Sequence, residues 1–327
     1  MRILLGHGAG GRLTDELVRE VFMPHIGSEI LELGDDSGRF DGLAVSIDGF
    51  TVTPQDFPGG DIGLLAVTGT VNDLAMVGAR PLVLSAGFIL EEGLESDDLS
   101  RWARSMGKTA SEVGVEIVAC DTKVVEKGSA DRIFVTTTGV GKVPEGMVVA
   151  GDRAVAGDRV LVSGPVADHG TAIMTVREEL GFEEPLLSDV APLWEPVSRL
   201  LEEVEVHVLR DPTRGGLAQT LNEIALSSGV EIAMEERSVP VRPAVRSACD
   251  IMGLDPLEVA SEGRFVAILP SDQVPTALDV LSRMELTREA AVIGEVCEGR
   301  PRVLCTTVLG SHRVVDMPLG EALPRIC

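Results

Sequence analysis

Aromatic side chains are scarce in this chain: it has no tyrosine, two tryptophans and eight phenylalanines, only 3% of all residues. Any core must therefore be aliphatic, built from the abundant Val, Leu, Ala and Ile. Cations are also few, with 28 Lys and Arg against 52 Asp and Glu, for a formal net charge of −24. Such a surface repels phosphodiester backbones and anionic membranes. An anionic substrate such as a nucleotide can bind only with metal cations between it and the carboxylates. Cysteines number five (Cys120, Cys249, Cys297, Cys305 and Cys327), and none forms a CxxC pair. The five histidines (His7, His25, His169, His207 and His312) show no ligand spacing, so no zinc site is inferred. No apolar run approaches the ~20 residues of a membrane helix, and Met1 to Gly6 does not read as a leader. The expectation is a cytoplasmic protein with reduced thiols. There is no defensible internal repeat and no low-complexity tract.

What remains is enough for two domains. Composition shifts to Gly, Pro and charge between Gly141 and Gly157. This divides the chain into 1–150 and 151–317, with a tail from 318 to 327 that carries Cys327. Helices are expected at Leu13–Phe22, Ile62–Val77, Ser96–Val113, Ala191–Glu203, Pro240–Met252 and Gln273–Met284, and after Asp168 and Gly216. In Ile62–Val77 the apolar residues recur at helical spacing, and Asp61 stands where a cap is needed. The 96–113 helix should be capped by Ser96 or Asp97. Strands are expected at Leu43–Asp48, Arg80–Leu90, Val115–Ala119 (short and buried), Ile133–Val140, Val160–Ser163, Val230–Met234, Phe265–Leu269, Ala291–Val296 and Arg302–Thr306.

Two glycine-rich motifs invite a nucleotide reading, and neither meets its requirements. Gly6-His7-Gly8-Ala9-Gly10-Gly11 fits G-x-G-x-x-G, but only five residues precede it and no strand ends in the required acid. A loop whose amides could face a phosphate fits better, and His7 could approach such a phosphate. Gly107-Lys108-Thr109 resembles the end of a Walker A motif, but Trp102 stands where its first glycine belongs.

The acids are more informative. Asp35 and Asp36, Asp48, Asp73 beside Asn72, and Asp121 each sit in or next to an apolar element. Polar groups in such settings cost free energy unless bonded. Several carboxylates converging on one site would suit Mg²⁺, which bridges to phosphate oxygens. Caps and solvated turns are the alternative. At the far end, Pro324-Arg325-Ile326-Cys327 reads as an arm with a thiol at its tip. Pro324 cannot continue a helix and extends the residue before it. From Gly320 the arm spans roughly 23 Å at about 3.3 Å per residue.

These fragments resemble a known family. Phe57-Pro58-Gly59-Gly60-Asp61-Ile62-Gly63, Asn72-Asp73, Gly87 to Gly93, Asp121-Thr122-Lys123-Val124-Val125, Arg210 to Leu217, Ser261-Glu262-Gly263-Arg264 and the terminal Pro324 to Cys327 are similar to the hydrogenase maturation factor HypE. HypE lies within the aminoimidazole ribonucleotide synthetase superfamily, and the resemblance covers both domains. It implies an α+β fold with an N-terminal domain that forms a β-barrel-like homodimer interface, a C-terminal α/β sandwich and a flexible tail. It implies an ATP-dependent carbamoyl dehydratase. A carbamoyl group, received on the terminal thiol from HypF, is dehydrated to a thiocyanate. The cyanide passes to iron on HypC–HypD for the [NiFe]-hydrogenase site. Carried over by position, Asp35 or Asp36, Asp48, Asp73 and Asp121 hold Mg²⁺ and the phosphates of ATP, with Asn72 assisting. Asp36, Asp48, Asp73 and Asp121 are the metal ligands of that set. Cys327 carries the substrate, Glu262 is the base, and Lys123 offsets phosphate charge. Two positions depart from the usual pattern: Cys120 where a glycine commonly precedes Asp121, and Gly49 where a hydroxyl residue commonly follows Asp48. A small-molecule kinase or selenophosphate-type synthetase of the same superfamily, and a non-enzymatic carrier, are the alternatives.

Overall fold

The computed structural model describes residues 2–8, 10–28, 34–319, 323 and 325–327. Ala9, Gly320 and Pro324 lie outside the described residues. Each half of the chain is organised around one sheet. In the first half the order is β1 (Gly38–Phe40), β2 (Leu43–Phe50), β7 (Ile133–Lys142), β5 (Arg80–Glu91) and β6 (Glu116–Val125). A small ribbon of β3 (Asp56–Phe57) and β4 (Gly60–Asp61) precedes the first long helix. Among the described residues the five strands make an open sheet, with β1 and β6 at its edges, and not a closed barrel. β5 and β6 are parallel. A parallel pair needs a crossover, and the 96–113 helix provides it.

The helices are α1 (Gly11–Leu17), α2 (Met23–Ile26), α3 (Ile62–Met76), α4 (Ser96–Val113), α5 (Asp168–Arg177), α6 (Trp194–Glu203), α7 (Gly216–Ser228), α8 (Pro243–Met252) and α9 (Val274–Ser282). α3 begins as its sequence predicts: the Asp61 carboxylate accepts the Leu64 N–H at 2.9 Å. It is buried on nearly every side. One side meets Phe50, Leu84, Val135 and Trp102 of the first half. Ala75 and Met76 enter a cluster with Leu161, Leu193, Leu200 and Phe265 of the second half.

The second sheet runs β14 (His312–Val315), β13 (Arg302–Thr306), β10 (Glu231–Glu235), β12 (Ala291–Cys297), β8 (Arg159–Val162), β11 (Val266–Leu269) and β9 (Val208–Arg210). All its pairs are antiparallel except β10–β13. Val160 and Val162 face α7, through Leu217, Leu221 and Ile224. Leu161 faces α6 and α9, through Val197, Leu200 and Leu281. Both faces are covered, which is why β11 is buried at every residue and reads as an unbroken apolar run.

Several expected elements differ. Val115–Ala119 is not a short buried strand but the start of the ten-residue edge strand β6, which is exposed along most of its length. α4 starts at Ser96, after Glu95, with no side-chain cap from Ser96 or Asp97. The helices expected from Ala191 and Pro240 begin at Trp194 and Pro243. β1, β9 and β14 are three or four residues long, too short for period-2 patterning to register.

Candidate active site

A cavity of about 300 Å³ lies where the two halves meet. Strand alternation puts Ala44, Ser46, Asp48 and Phe50 of β2 on the side facing α3. On α3, Gly69 and Asp73 are one turn apart and share a face. Both line the cavity with Asp48. Gly69 is what allows the approach: a Cβ there would sit 2.8 Å from the Phe50 ring and 3.3 Å from Asp48 Oδ2. Ser46 Oγ donates to Asp73 Oδ2 at 2.5 Å and aims that carboxylate.

The opposite wall comes from the turn ahead of α7. Gly215 and Gly216 both have positive φ, 76° and 58°. The sharp bend presents Arg210, Asp211, Thr213 and Arg214 to the cavity, with Gln219, Thr220 and Glu223 from α7. Arg210 Nε pairs with Asp36 at 3.0 Å, and its NH2 pairs with Glu223 at 2.7 Å. Gly10 and Thr14 of the N-terminal segment, Glu262 and Cys327 complete the lining.

Six carboxyl groups (Asp36, Asp48, Asp73, Asp211, Glu223 and Glu262) thus share the lining with two guanidinium groups. Burial raises the proton affinity of Asp36, Asp48, Asp73, Asp211 and Glu262, and neighbouring carboxylates add to it at Asp36, Asp73, Asp211 and Glu262. Asp73 is held well above the usual carboxylate range by burial, then by Asp48, Asp211 and Asp36. Asp36 is raised well above it by burial, against the pull of Arg210. Burial also raises Asp48, opposed by Arg214, and brings Asp211 to about 6. Glu262 is 3% exposed. Burial, then Asp211, Asp48 and Asp189, push its carboxyl well above the ordinary value. Burial pushes the Cys327 thiol up to about 12, although Arg214 favours its thiolate.

Asp36 Oδ2 and Glu262 Oε1 are buried without a hydrogen-bond partner among the described residues. Unpaired buried acceptors of this kind call for a cation or a donor. Among the described residues, no three His, Cys, Asp or Glu side chains already converge to hold a metal.

The structure brings Asp36, Asp48, Asp73, Glu262 and Cys327 into one cavity and leaves the other sequence candidates outside its lining. Asp35 turns away: Oδ1 accepts the Gly151 N–H at 2.8 Å and Oδ2 pairs with Arg39 at 2.9 Å. Asn72 turns its side chain to main-chain partners. Its Nδ2 donates to Ala191 O and Glu262 O, and its Oδ1 accepts from Leu193 N–H. Asp121 and Lys123 pair with each other at 2.5 Å on exposed β6. His7 is buried, but its Nδ1 accepts the Leu4 N–H and folds the 5–8 turn. Sequence reasoning assigned no role to Arg210, Asp211 and Arg214. The signal was the double glycine at 215–216, which bends the chain so that the charges before it face inward.

The tail is docked. Thr51 N–H and Oγ1 donate to Cys327 O at 3.0 and 3.2 Å, and the Arg325 guanidinium pairs with Asp131 at 2.8 Å. Ile326 packs in the first-half core.

Comparison with known proteins agrees with this architecture. Residues 34–143 match the family model for the AIR synthase related protein, N-terminal domain, and residues 155–305 match that for its C-terminal domain. The carbamoyl dehydratase HypE of Cupriavidus necator is 49% identical over 333 residues, covering 100% of this chain and 95% of that protein. A solved HypE–HypF complex superposes with a TM-score of 0.89 at 47% identity, over 92% of this chain and 99% of that one. A HypE structure in complex with ATP gives 0.85 at 48% identity, over 100% of both chains. On these grounds the chain belongs to the HypE family of AIR synthase related proteins.

Proposed function

We propose that this chain is an ATP-dependent carbamoyl dehydratase that acts on its own tail. The observation that carries the reading is that Cys327 lines the same cavity as Glu262, Asp36, Asp48, Asp73 and Asp211. Relatives named carbamoyl dehydratase, and one solved with ATP, support it. A thiocarbamate on Cys327 places its amide among these groups. The amide oxygen attacks the γ-phosphorus of ATP and the nitrogen gives up one proton, leaving an O-phosphorylated imidate and ADP. The second N–H proton then leaves as phosphate departs, giving S–C≡N. Glu262 is the base for that step. Its raised proton affinity suits transfer near neutrality. Cys327 does not need to be a nucleophile here, and a thiol held at about 12 is a poor one. It serves as the carrier.

Asp36, Asp48 and Asp73 would hold Mg²⁺, which when bound neutralises the transferred phosphoryl group. Arg210 and Arg214 add fixed positive charge at the same wall. Asp121 and Lys123 enter through a second copy of the chain. The sheet face turned away from α3 exposes Ile47 and Ile89 and carries Asp121 and Lys123, and exposed apolar residues of this kind mark an interaction surface. A homodimer built on it brings one protomer's β6 toward its partner's site.

The solved HypE–HypF complex supports HypF as the carbamoyl donor. HypC–HypD is the cyanide acceptor for the [NiFe]-hydrogenase iron, and the working compartment is the cytoplasm. No helix among the described residues is long and apolar enough to cross a membrane. The test is mass spectrometry of the carbamoylated tail peptide. Loss of one water only with Mg-ATP is the expected result, and an adduct unchanged by Mg-ATP overturns the reading.

A further inference from the structure

The docked tail is held mainly by its carbonyl groups, and side chains supply three of the donors: Thr51 Oγ1, the Arg177 guanidinium and His169 Nε2. Cys327 O accepts from Thr51, and Arg325 O accepts from Thr53 N–H at 3.4 Å and from the Arg177 guanidinium. The carbonyl between them, Ile326 O, lies 3.0 Å from His169 Nε2. His169 is the second residue of α5 and is fully buried.

The chemistry of its neighbours dictates the tautomer. A carbonyl can only accept, so Nε2 carries the proton. Nδ1 is then bare and accepts from Ser188 Oγ at 2.8 Å. That hydroxyl oxygen in turn accepts the Val190 N–H at 3.0 Å. The Phe57 ring meets the imidazole edge to face, with centroids 5.4 Å apart. Burial keeps the ring neutral, its pKa lowered to about 4. The ring thus has one orientation and one tautomer, and it does not line the cavity.

The docked backbone also needs holding. Arg325 has φ 54°, in the left-handed region that non-glycine residues seldom adopt. A residue held there costs free energy that its surroundings must supply.

We propose that His169 is a positioning residue, a latch whose neutral hydrogen bond to the Ile326 carbonyl keeps the tail docked and Cys327 in the cavity. The inference rests on the tail being a working arm. Its test reads docking and not turnover, so the latch and the dehydratase reading can fail separately.

The full-length protein, without nucleotide, is treated with iodoacetamide, and alkylation of each cysteine is followed by peptide mass spectrometry. His169→Leu fills the space but cannot donate, leaving a buried acceptor unpaired. It should speed alkylation of Cys327 by about tenfold, with the rate at exposed Cys120 unchanged. His169→Gln, which offers an amide N–H near the same point, should return the rate to within about twofold of wild type. Equal Cys327 rates in all three proteins overturn the proposal. So does joint exposure of buried Cys249, which contacts Thr171 of α5 at 3.6 Å, because that would report a loosened helix. Should His169→Leu not fold, His169→Met, whose flexible thioether chain fills the space without a donor, takes its place. A faster Cys327 rate in that variant supports the latch, and an unchanged rate overturns it.

Discussion

Asn72 and Glu262 are 190 residues apart in sequence, yet Asn72 Nδ2 donates to the Glu262 carbonyl at 3.2 Å. Asp73 and the proposed base are therefore fixed in one frame: the helix that aims the first also anchors the turn that carries the second. Neighbouring residues of α3 should then respond to substitution with opposite sign. Asn72→Ala leaves Leu193 N–H, Ala191 O and Glu262 O without their partner and should cost about 2–4 kcal/mol. Chemical denaturation measures it.

Asp73→Asn keeps the shape and removes a charge that its neighbours oppose. A carboxyl raised in the folded state stabilises below its unfolded value and burdens the fold once pH passes its folded value. The nucleotide-free variant should therefore gain about 1–2 kcal/mol at high pH. It should also lose most of the stabilisation that wild type gains from Mg-ATP. Thermal unfolding with and without Mg-ATP tests both, and an undiminished Mg-ATP shift would remove Asp73 from the site.

Glu262→Gln should bind nucleotide and accept the carbamoyl group but slow dehydration by about 10²–10⁴-fold, the usual contribution of a positioned base. Single-turnover analysis of the tail peptide reads this, and a normal rate would assign the proton transfer elsewhere.

Lys123 and Glu262 should complement each other across protomers. In a dimer of one Lys123→Ala and one Glu262→Gln subunit, a site that draws Lys123 from its partner is intact in one protomer. Random mixing should restore about a quarter of wild-type activity. If Lys123 served its own chain's cavity, the mixture would stay inactive.

His169 also sets a pH dependence. Its folded value is depressed to about 4, so the unfolded chain binds the proton more tightly. Its contribution is present above the unfolded value near 6.5 and is lost as pH falls toward 4. Subtracting the stability of His169→Gln from that of wild type between pH 7 and 4 cancels other titrations. The difference should fall by a few kcal/mol at most, and a flat difference would contradict a neutral buried ring.

Much of this was legible beforehand. α3 announced itself by helical spacing and its Asp61 cap, and of the acids singled out Asp36, Asp48 and Asp73 line one cavity while Asp35 and Asp121 do not. What stayed hidden depended on direction. Asp35 and Asp36 are adjacent in one acidic turn, and only the ion pairs with Arg39 and Arg210 separate them. Asn72 resembled a ligand because a polar group on a buried helix needs partners, and those partners are backbone groups 119 to 190 residues away. β6 resembled a buried strand because Val115 to Ala119 is largely apolar, yet the strand lies at the edge of its sheet and is mostly exposed.

α3 has a consequence for how such proteins can be recombined. The two halves match separate family models, which suggests interchangeable modules. Yet Ala75 and Met76 belong to the second half's core, and Asn72 closes the main chain at 191, 193 and 262. A chimera that joins the first half of one relative to the second half of another inherits a mismatched seam unless these positions travel together. The halves are separable as patterns but inseparable as parts.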